Sequence, residues 1–377
     1  MRLLPQCIRS MEQTNQEVFL SLLKAGLWEQ EFQFSSNVDM DFGVVFQLAK
    51  EQSVTGLVAA GIDYLKELKM SQKDTLQVVG VALLIEQRNR SMNDFINKLI
   101  EKLRKNQVYP LLVKGQGVAQ CYARPLWRTS GDIDLLLSDN EYDRAKEILA
   151  KMAISVEPED TYKKHVSMQI EDYVVELHGN LHTCISGKID RHLDKIQSAM
   201  YAGSVRVWSN GSMDIFLPDP NCDVLFVFCH ILQHFFKGGI GLRQVCDWCR
   251  LSWTYRDKID IRLLKRRLRK MGILSEWKVF ATLAVDVLGL PADAMPLYSK
   301  STLNHKRARM ALGWILKSGN MGHNIDQSYR KEYSHHVQKM ITLGRRIKEY
   351  CYFFVIFPID APRFFFSYVS HKILKIL

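Results

Sequence analysis

Residues 128–137 read RTSGDIDLLL, so two aspartates, Asp132 and Asp134, open a run with the apolar composition of a buried strand. On a strand, residues i and i+2 face the same way, which sets these two carboxylates side by side. Sinking an unpartnered charge into a protein interior is costly, and two adjacent carboxylates repel each other as well. A divalent cation relieves both penalties. A chain carrying this stretch therefore either begins the strand in water or builds a cation site at its mouth.

The pattern on either side frames that choice. Residues 11–106 carry apolar residues at 3–4 spacing, which predicts helices, and 71–106 reads as one long helix capped by Ser71 or Asp74. VYPLLVKG (108–115) is a short β-rich run ending in glycine, QGVAQCYA a short helix, and DIDLLL the next strand. Ser138 and Asp139 offer caps for a helix over NEYDRAKEILAKM. HVSMQI and YVVELHGNL alternate around ED as a hairpin, and SVRVW and MDIFLP form two more strands around SNGS. From Pro220 onward the pattern is helical again. The expected fold class is α+β: a small mixed-sheet core over 107–218, between a helical region at 1–106 and a helical, basic region at 219–377. Neither a GxGxxG nor a GxxxxGK[ST] stretch is present.

Three pieces of the core carry chemistry. At Lys114 and Gly115 a strand gives way to a helix, where free N–H groups and an ammonium suit a phosphate; an ordinary strand–helix turn has the same look. Arg128 and Ser130 stand just upstream of the aspartate pair, placed for a triphosphate, though Arg128 could equally neutralise Asp132. In YVVELHGNLH (173–182), Val174, Glu176 and His178 share one strand face. Glu176, set among apolar residues, would join Asp132 and Asp134 as a third acidic ligand, and His178 on the same face would touch substrate or hold Glu176. A phosphate cradle, then an Asp-x-Asp strand, then a third acid on a later strand is the order that two-metal phosphoryl transfer requires. Further on, His230 and His234 lie at i, i+4 on one helix face, a metal-capable spacing, but no acid completes a metalloprotease motif. Structural or substrate-contact roles are expected for them, and the CxxC at 246–249 reads as core.

LLVKGQGVAQCYARPLWRTSGDIDLLL followed by VVELH resembles the uncharacterised nucleotidyltransferase family of the polymerase-β-like superfamily. The resemblance runs over about 40–255 and takes in CHILQHFFKGGIGLRQVCDWCRL, where His230, His234, Arg243 and Asp247 match the family's helical pattern. It implies a short mixed sheet bearing the acidic triad Asp132, Asp134 and Glu176, with helices closing over a nucleotide. By the same resemblance Lys114, Gly115, Arg128, Ser130, Gly131 and His178 contact the nucleotide, Mg²⁺ (or Mn²⁺) is the cofactor and an NTP the substrate. Lys114-Gly115 replaces the Gly-Ser usual in the wider superfamily.

The formal net charge of +11 is unevenly spread: residues 251–377 hold 23 Lys and Arg against 9 Asp and Glu. The runs KRRLRK, HKRAR and GRRIK suit a polyanion, or are simply solvated helix faces. A small acceptor such as a sugar or glycan precursor is favoured over a polyanion. Eight cysteines in 377 residues do not make a disulfide framework, no apolar run is long enough to span a bilayer, and no signal peptide is evident at the N-terminus, so a cytoplasmic location is expected. The C-terminal stretch YCYFFVIFPIDAPRFFFSYVSHKILKIL, with Lys372 and Lys375, could form an interface helix making weak peripheral membrane contact. The leading expectation is a metal-dependent transfer of a nucleoside monophosphate to an acceptor hydroxyl. The alternative is a non-catalytic nucleotide-binding or membrane-peripheral scaffold.

Overall fold

A computed structural model describes residues 6–31, 40–64, 70–325 and 334–374. Four helices open the chain: α1 (Gln6–Trp28), α2 (Phe42–Glu51), α3 (Thr55–Ile62) and α4 (Gln72–Lys105). Ser71 caps α4 by accepting the N–H of Asp74, one of the two caps expected there. α1 crosses α3 at Gly26 and Gly61, where a Cβ on Gly26 would lie 1.8 Å from the Leu57 carbonyl oxygen. Only glycine permits so close a crossing.

The sheet follows the alternation in the sequence. Its strands are β1 (Leu111–Val113), β2 (Ile133–Leu136), β3 (Ser155–Val156), β4 (His165–Ile170) and β5 (Tyr173–His178), in the order β1-β2-β5-β4-β3. β2 and β5 run parallel and the other neighbours antiparallel, so the sheet is mixed. A one-turn helix, α5 (Gly115–Ala119), joins β1 toward β2, and α6 (Tyr142–Ala150) follows β2. α6 begins later than expected: its N-cap is Glu141, without a side-chain cap bond, and Ser138 donates its hydroxyl to Glu141 instead. α7 (Gly187–Tyr201) precedes a separate hairpin of β6 (Val205–Asn210) and β7 (Met213–Pro218). β6 takes up Ser209 and Asn210, which the sequence pattern placed in the turn, leaving Gly211 at a φ of 61° to reverse the chain.

The remaining helices are α8 (Pro220–Lys237), α9 (Leu242–Thr254), α10 (Ile261–Met271), α11 (Leu274–Asp286), α12 (Thr302–Ser318), α13 (His335–Ile356) and α14 (Asp360–Leu374). The molecule is thus a mixed α+β protein in which helical regions flank a small sheet. Two apolar cores divide the work. One face of the sheet (Ile133, Leu135, Val166, Met168, Val175, Leu177) packs with the second half of α4, through Met92, Phe95, Ile96, Leu99 and Leu103, and with Tyr142 and Leu149 of α6. The larger core joins α1 and α3 to α7–α14. Cys229, Cys246 and Cys249 are buried within it, and all seven described cysteines are free.

In α10, Leu264, Leu268 and Met271 face inward while Arg266, Arg269 and Lys270 are exposed; Leu263 is only half-buried. On α13, Met340, Ile347, Phe354 and Val355 are all exposed, from 46% to 69%. The Lys372 side chain and Lys375 lie outside the described residues.

α8 is held from its inner side by aromatic packing. The ring of Phe228 sits 5.2 Å from Trp248, 4.8 Å from Trp277 and 5.9 Å from Phe280, centroid to centroid. Since Phe228 is fully buried, Phe228→Ala is expected to lower the unfolding free energy by about 3–5 kcal/mol, measured by urea denaturation. A loss below about 1 kcal/mol would mean that α8 is anchored elsewhere.

Candidate active site

The second face of the sheet is polar at its centre. Period-two alternation that sends Ile133 and Leu135 into the core turns Asp134 the other way, and on β5 Val175 and Leu177 point inward while Glu176 and His178 point out. Parallel pairing sets Asp134 directly beside Glu176. Asp132, just before β2, completes a cluster: one carboxylate oxygen from each of Asp132, Asp134 and Glu176 lies within 4.8 Å of the other two. They line a cleft of about 590 Å³, whose opposite walls come from α8, α9 and the loop around Asn320.

Asp134 is only 2% exposed, so its charge needs compensation, and it has two partners. Lys114 Nζ lies 2.7 Å and His178 Nε2 2.8 Å from its Oδ1. Burial alone would raise the Asp134 pKa; the Lys114 ammonium and the His178 hydrogen bond outweigh it and hold the carboxyl below its ordinary value. Glu176 is likewise held low, its burial outweighed by contacts with His165, at 3.1 Å, and His178. Asp132 goes the other way: the charge of Asp134, and then burial, push its pKa up. Lys114 stays charged because Asp134, Asp132 and Glu176 together outweigh its burial. Three hard oxygen donors, crowded enough to raise the basicity of one of them, are the ligand set that a divalent cation such as Mg²⁺ or Mn²⁺ takes.

Lys114 has a backbone φ of 57° and ψ of −145°, and Gly115 follows at a φ of 42°. A positive φ at a lysine costs about 1–3 kcal/mol, and the strained turn sets Lys114 and Gly115 at the cleft. α5 has only five residues, so its dipole is small and Lys114 carries most of the positive charge at this edge. Asn89 of α4 fixes the loop before β2 by donating to the carbonyls of Leu126 and Arg128 and accepting from Gln116.

The other residues singled out in the sequence divide. Ser130 and Gly131 line the cleft. Arg128 lines it too, but its guanidinium is bound in a bidentate pair to Asp247, at 2.6 and 2.7 Å, and Tyr122 donates to the same carboxylate. The offered neutralisation of Asp132 by Arg128 thus gives way to a buried clamp between the loop and α9. Arg243 donates to the Thr129 carbonyl at 3.0 Å and steadies the same loop. His230 and His234 sit on the α8 face of the cleft, their rings 4.3 Å apart. The metal-capable groups among the described residues do not include them. Sequence reasoning missed His165, Lys163 and His182, which also line the cleft. The hairpin register could have found His165: a two-residue ED turn pairs Ile170 with Tyr173 and so sets His165 opposite His178.

The sheet is mixed, and three carboxylates cluster on it beside a strand–Lys-Gly–helix turn. The chain belongs to the uncharacterised nucleotidyltransferase family, whose model matches residues 39–289. The match extends beyond the stretch expected from sequence, through α10 and α11, and takes in every residue of the cluster. No curated protein and no solved structure matches the chain.

Burial, and then the Lys114 charge, lower His234 from its ordinary 6.5 to about 4, so it is neutral at pH 7. Between those values the unfolded chain binds a proton that the fold refuses, and the His234 contribution to stability falls as the pH drops through that window. His234→Gln is expected to flatten the loss of stability between pH 6.5 and 4, read by urea denaturation at several pH values. An unchanged slope would contradict the burial of a neutral imidazole.

Proposed function

We propose that the protein transfers a nucleoside monophosphate from an NTP to the hydroxyl of a small acceptor, with Mg²⁺, or Mn²⁺ in its place, held by Asp132, Asp134 and Glu176. The convergence of these three carboxylates beside Lys114 carries the reading. The bound cation supplies Lewis-acid polarisation of the phosphoryl group and of the attacking oxygen. Lys114 moves from Asp134 to the phosphates, the N–H groups after Gly115 hold a phosphate oxygen, and Ser130 and Gly131 close that side of the cleft. His178 keeps Asp134 oriented. The acceptor oxygen bonds to the α-phosphorus as the α–β bridging bond breaks, and pyrophosphate leaves with that electron pair. The hydroxyl proton passes to a carboxylate oxygen of the cluster.

None of KRRLRK, HKRAR or GRRIK contributes a residue to the cleft lining, which favours a small acceptor over a polyanion. The wall opposite the carboxylates offers His230, His234 and Gln233, polar groups suited to hydroxyls. Burial above all pushes the His230 pKa well below its ordinary value, so at pH 7 it binds as a neutral imidazole. Free thiols and NTP use fit a cytoplasmic setting.

Pyrophosphate release should be measured with each NTP, Mg²⁺ and a panel of sugars and sugar phosphates. Asp134→Asn is expected to lower the rate by at least ~10²–10³ while the circular dichroism spectrum is unchanged. Release at the wild-type rate in that variant would refute the mechanism.

A second reading, that the chain works at an anionic lipid surface, is favoured by α13. Met340, Ile347, Phe354 and Val355 lie at helical spacing on one exposed face, beside exposed Lys339 and Lys348, and Ile359 just beyond the helix is 83% exposed. An apolar strip bordered by lysines matches the interior and headgroups of an anionic membrane surface. Among the described residues no helix is long and apolar enough to cross a membrane. Flotation with phosphatidylserine vesicles is expected to carry the protein upward, and the double variant Ile347→Glu, Phe354→Glu to stay behind. Absence of flotation, or self-association that buries this face instead, would overturn the reading.

A further inference from the structure

Beside the carboxylate cluster stands a second group with different chemistry. His165 on β4 and His178 on β5 are cross-strand partners, and Glu176 lies two residues before His178 on the same sheet face. A β-ladder holds all three, so their positions do not depend on a loop. One donor atom from each lies within 4.8 Å of the other two. We propose that His165, Glu176 and His178 form a second cation site, which takes a first-row transition dication of the Zn²⁺, Co²⁺ or Mn²⁺ class through two imidazole nitrogens and one carboxylate.

The separations are close to those of ligands gathered around one ion. Metal–ligand bonds of about 2.0–2.2 Å at tetrahedral angles put neighbouring ligand atoms about 3.3–3.6 Å apart. Glu176 Oε2 is 3.1 Å from His165 Nε2 and 3.5 Å from His178 Nε2. The second separation is long for a hydrogen bond, and His178 Nε2, which meets Asp134 at 2.8 Å, would turn from that carboxylate to the ion on binding. The two rings are bunched, with centroids 4.8 Å apart. Two imidazoles pressed together over one carboxylate are the donor set of a borderline-soft metal, and nitrogen donors select against Mg²⁺. His165 is part-exposed at the cleft, so an ion has an entry path and room for further ligands on the open side. The site shares Glu176 with the carboxylate cluster and draws His178 away from Asp134, and it adds His165, which the transfer mechanism leaves idle. A phosphate oxygen of a bound nucleotide would reach the open side of this ion.

The test is metal binding by the full chain without nucleotide, so its outcome does not depend on whether the protein transfers nucleotides. Metal-stripped protein is titrated with Co²⁺ and followed by visible absorption. The wild type is expected to bind one tight equivalent, displaced by stoichiometric Zn²⁺ and resistant to a hundredfold excess of Mg²⁺. Asp132→Asn should keep this behaviour, and His165→Gln should weaken Co²⁺ binding at least tenfold. The Zn²⁺ absorption-edge spectrum of the wild type should show two imidazoles, a readout that needs no variant to fold. Tight Co²⁺ binding retained in folded His165→Gln, displacement by equimolar Mg²⁺, no tight Co²⁺ binding by the wild type, or an all-oxygen shell around Zn²⁺ would each overturn the proposal.

Discussion

Parallel pairing of β2 with β5 puts Asp134 against Glu176, and most of the site follows from the charge this creates. Two carboxylates on adjacent strands, with Asp132 close by, concentrate negative charge at a place where Asp134 has lost almost all contact with water. Such a cluster is stable only when counter-charge is built into the fold. Lys114 supplies it from the end of β1, and His178 and His165 hydrogen-bond Asp134 and Glu176 from β5 and β4. The strained lysine backbone and the crowded histidines are both consequences of that requirement.

The surrounding architecture keeps the cluster at the floor of a cleft. The core shared with α4 fixes the back of the sheet, and the aromatic core around Phe228, Trp248 and Trp277 fixes α8, which supplies the facing wall. Two polar links close the gap between these cores: Asn89 of α4 binds the loop before β2, and Asp247 of α9 clamps Arg128 of that same loop. The position of Asp132, which lies on the loop rather than in the strand, depends on both.

Alternation made the centre of the site legible in the sequence. An apolar strand that begins Asp-Ile-Asp, and a later one with glutamate between apolar neighbours, told which side chains leave the core, because period two leaves no other choice. Local patterning carried less where tertiary contacts decide. Arg128 looked free for a ligand, since its partner Asp247 stands 119 residues away on α9. His165 lay in the less apolar half of a hairpin, and only the pairing register gives it meaning. Ser138 and Asp139 resembled helix caps, yet the Ser138 hydroxyl went to Glu141 and the helix started afterward. Phe354 and Val355 fell in the stretch expected to meet a membrane, but Met340 and Ile347 on the same outer face of α13 stayed hidden, because apolar periodicity does not say which side of a helix meets the core.

The central claim is that Asp132, Asp134 and Glu176 jointly hold the ion that engages a nucleotide triphosphate, with Lys114 released to the phosphates. Anomalous scattering from crystals grown with Mn²⁺ and a non-hydrolysable NTP tests it directly. The account predicts a Mn²⁺ peak bonded to all three carboxylates and to a phosphate oxygen, with Lys114 Nζ turned from Asp134 toward the triphosphate. A nucleotide bound elsewhere, or bound here with Lys114 still on Asp134 and no metal between the carboxylates, would contradict it.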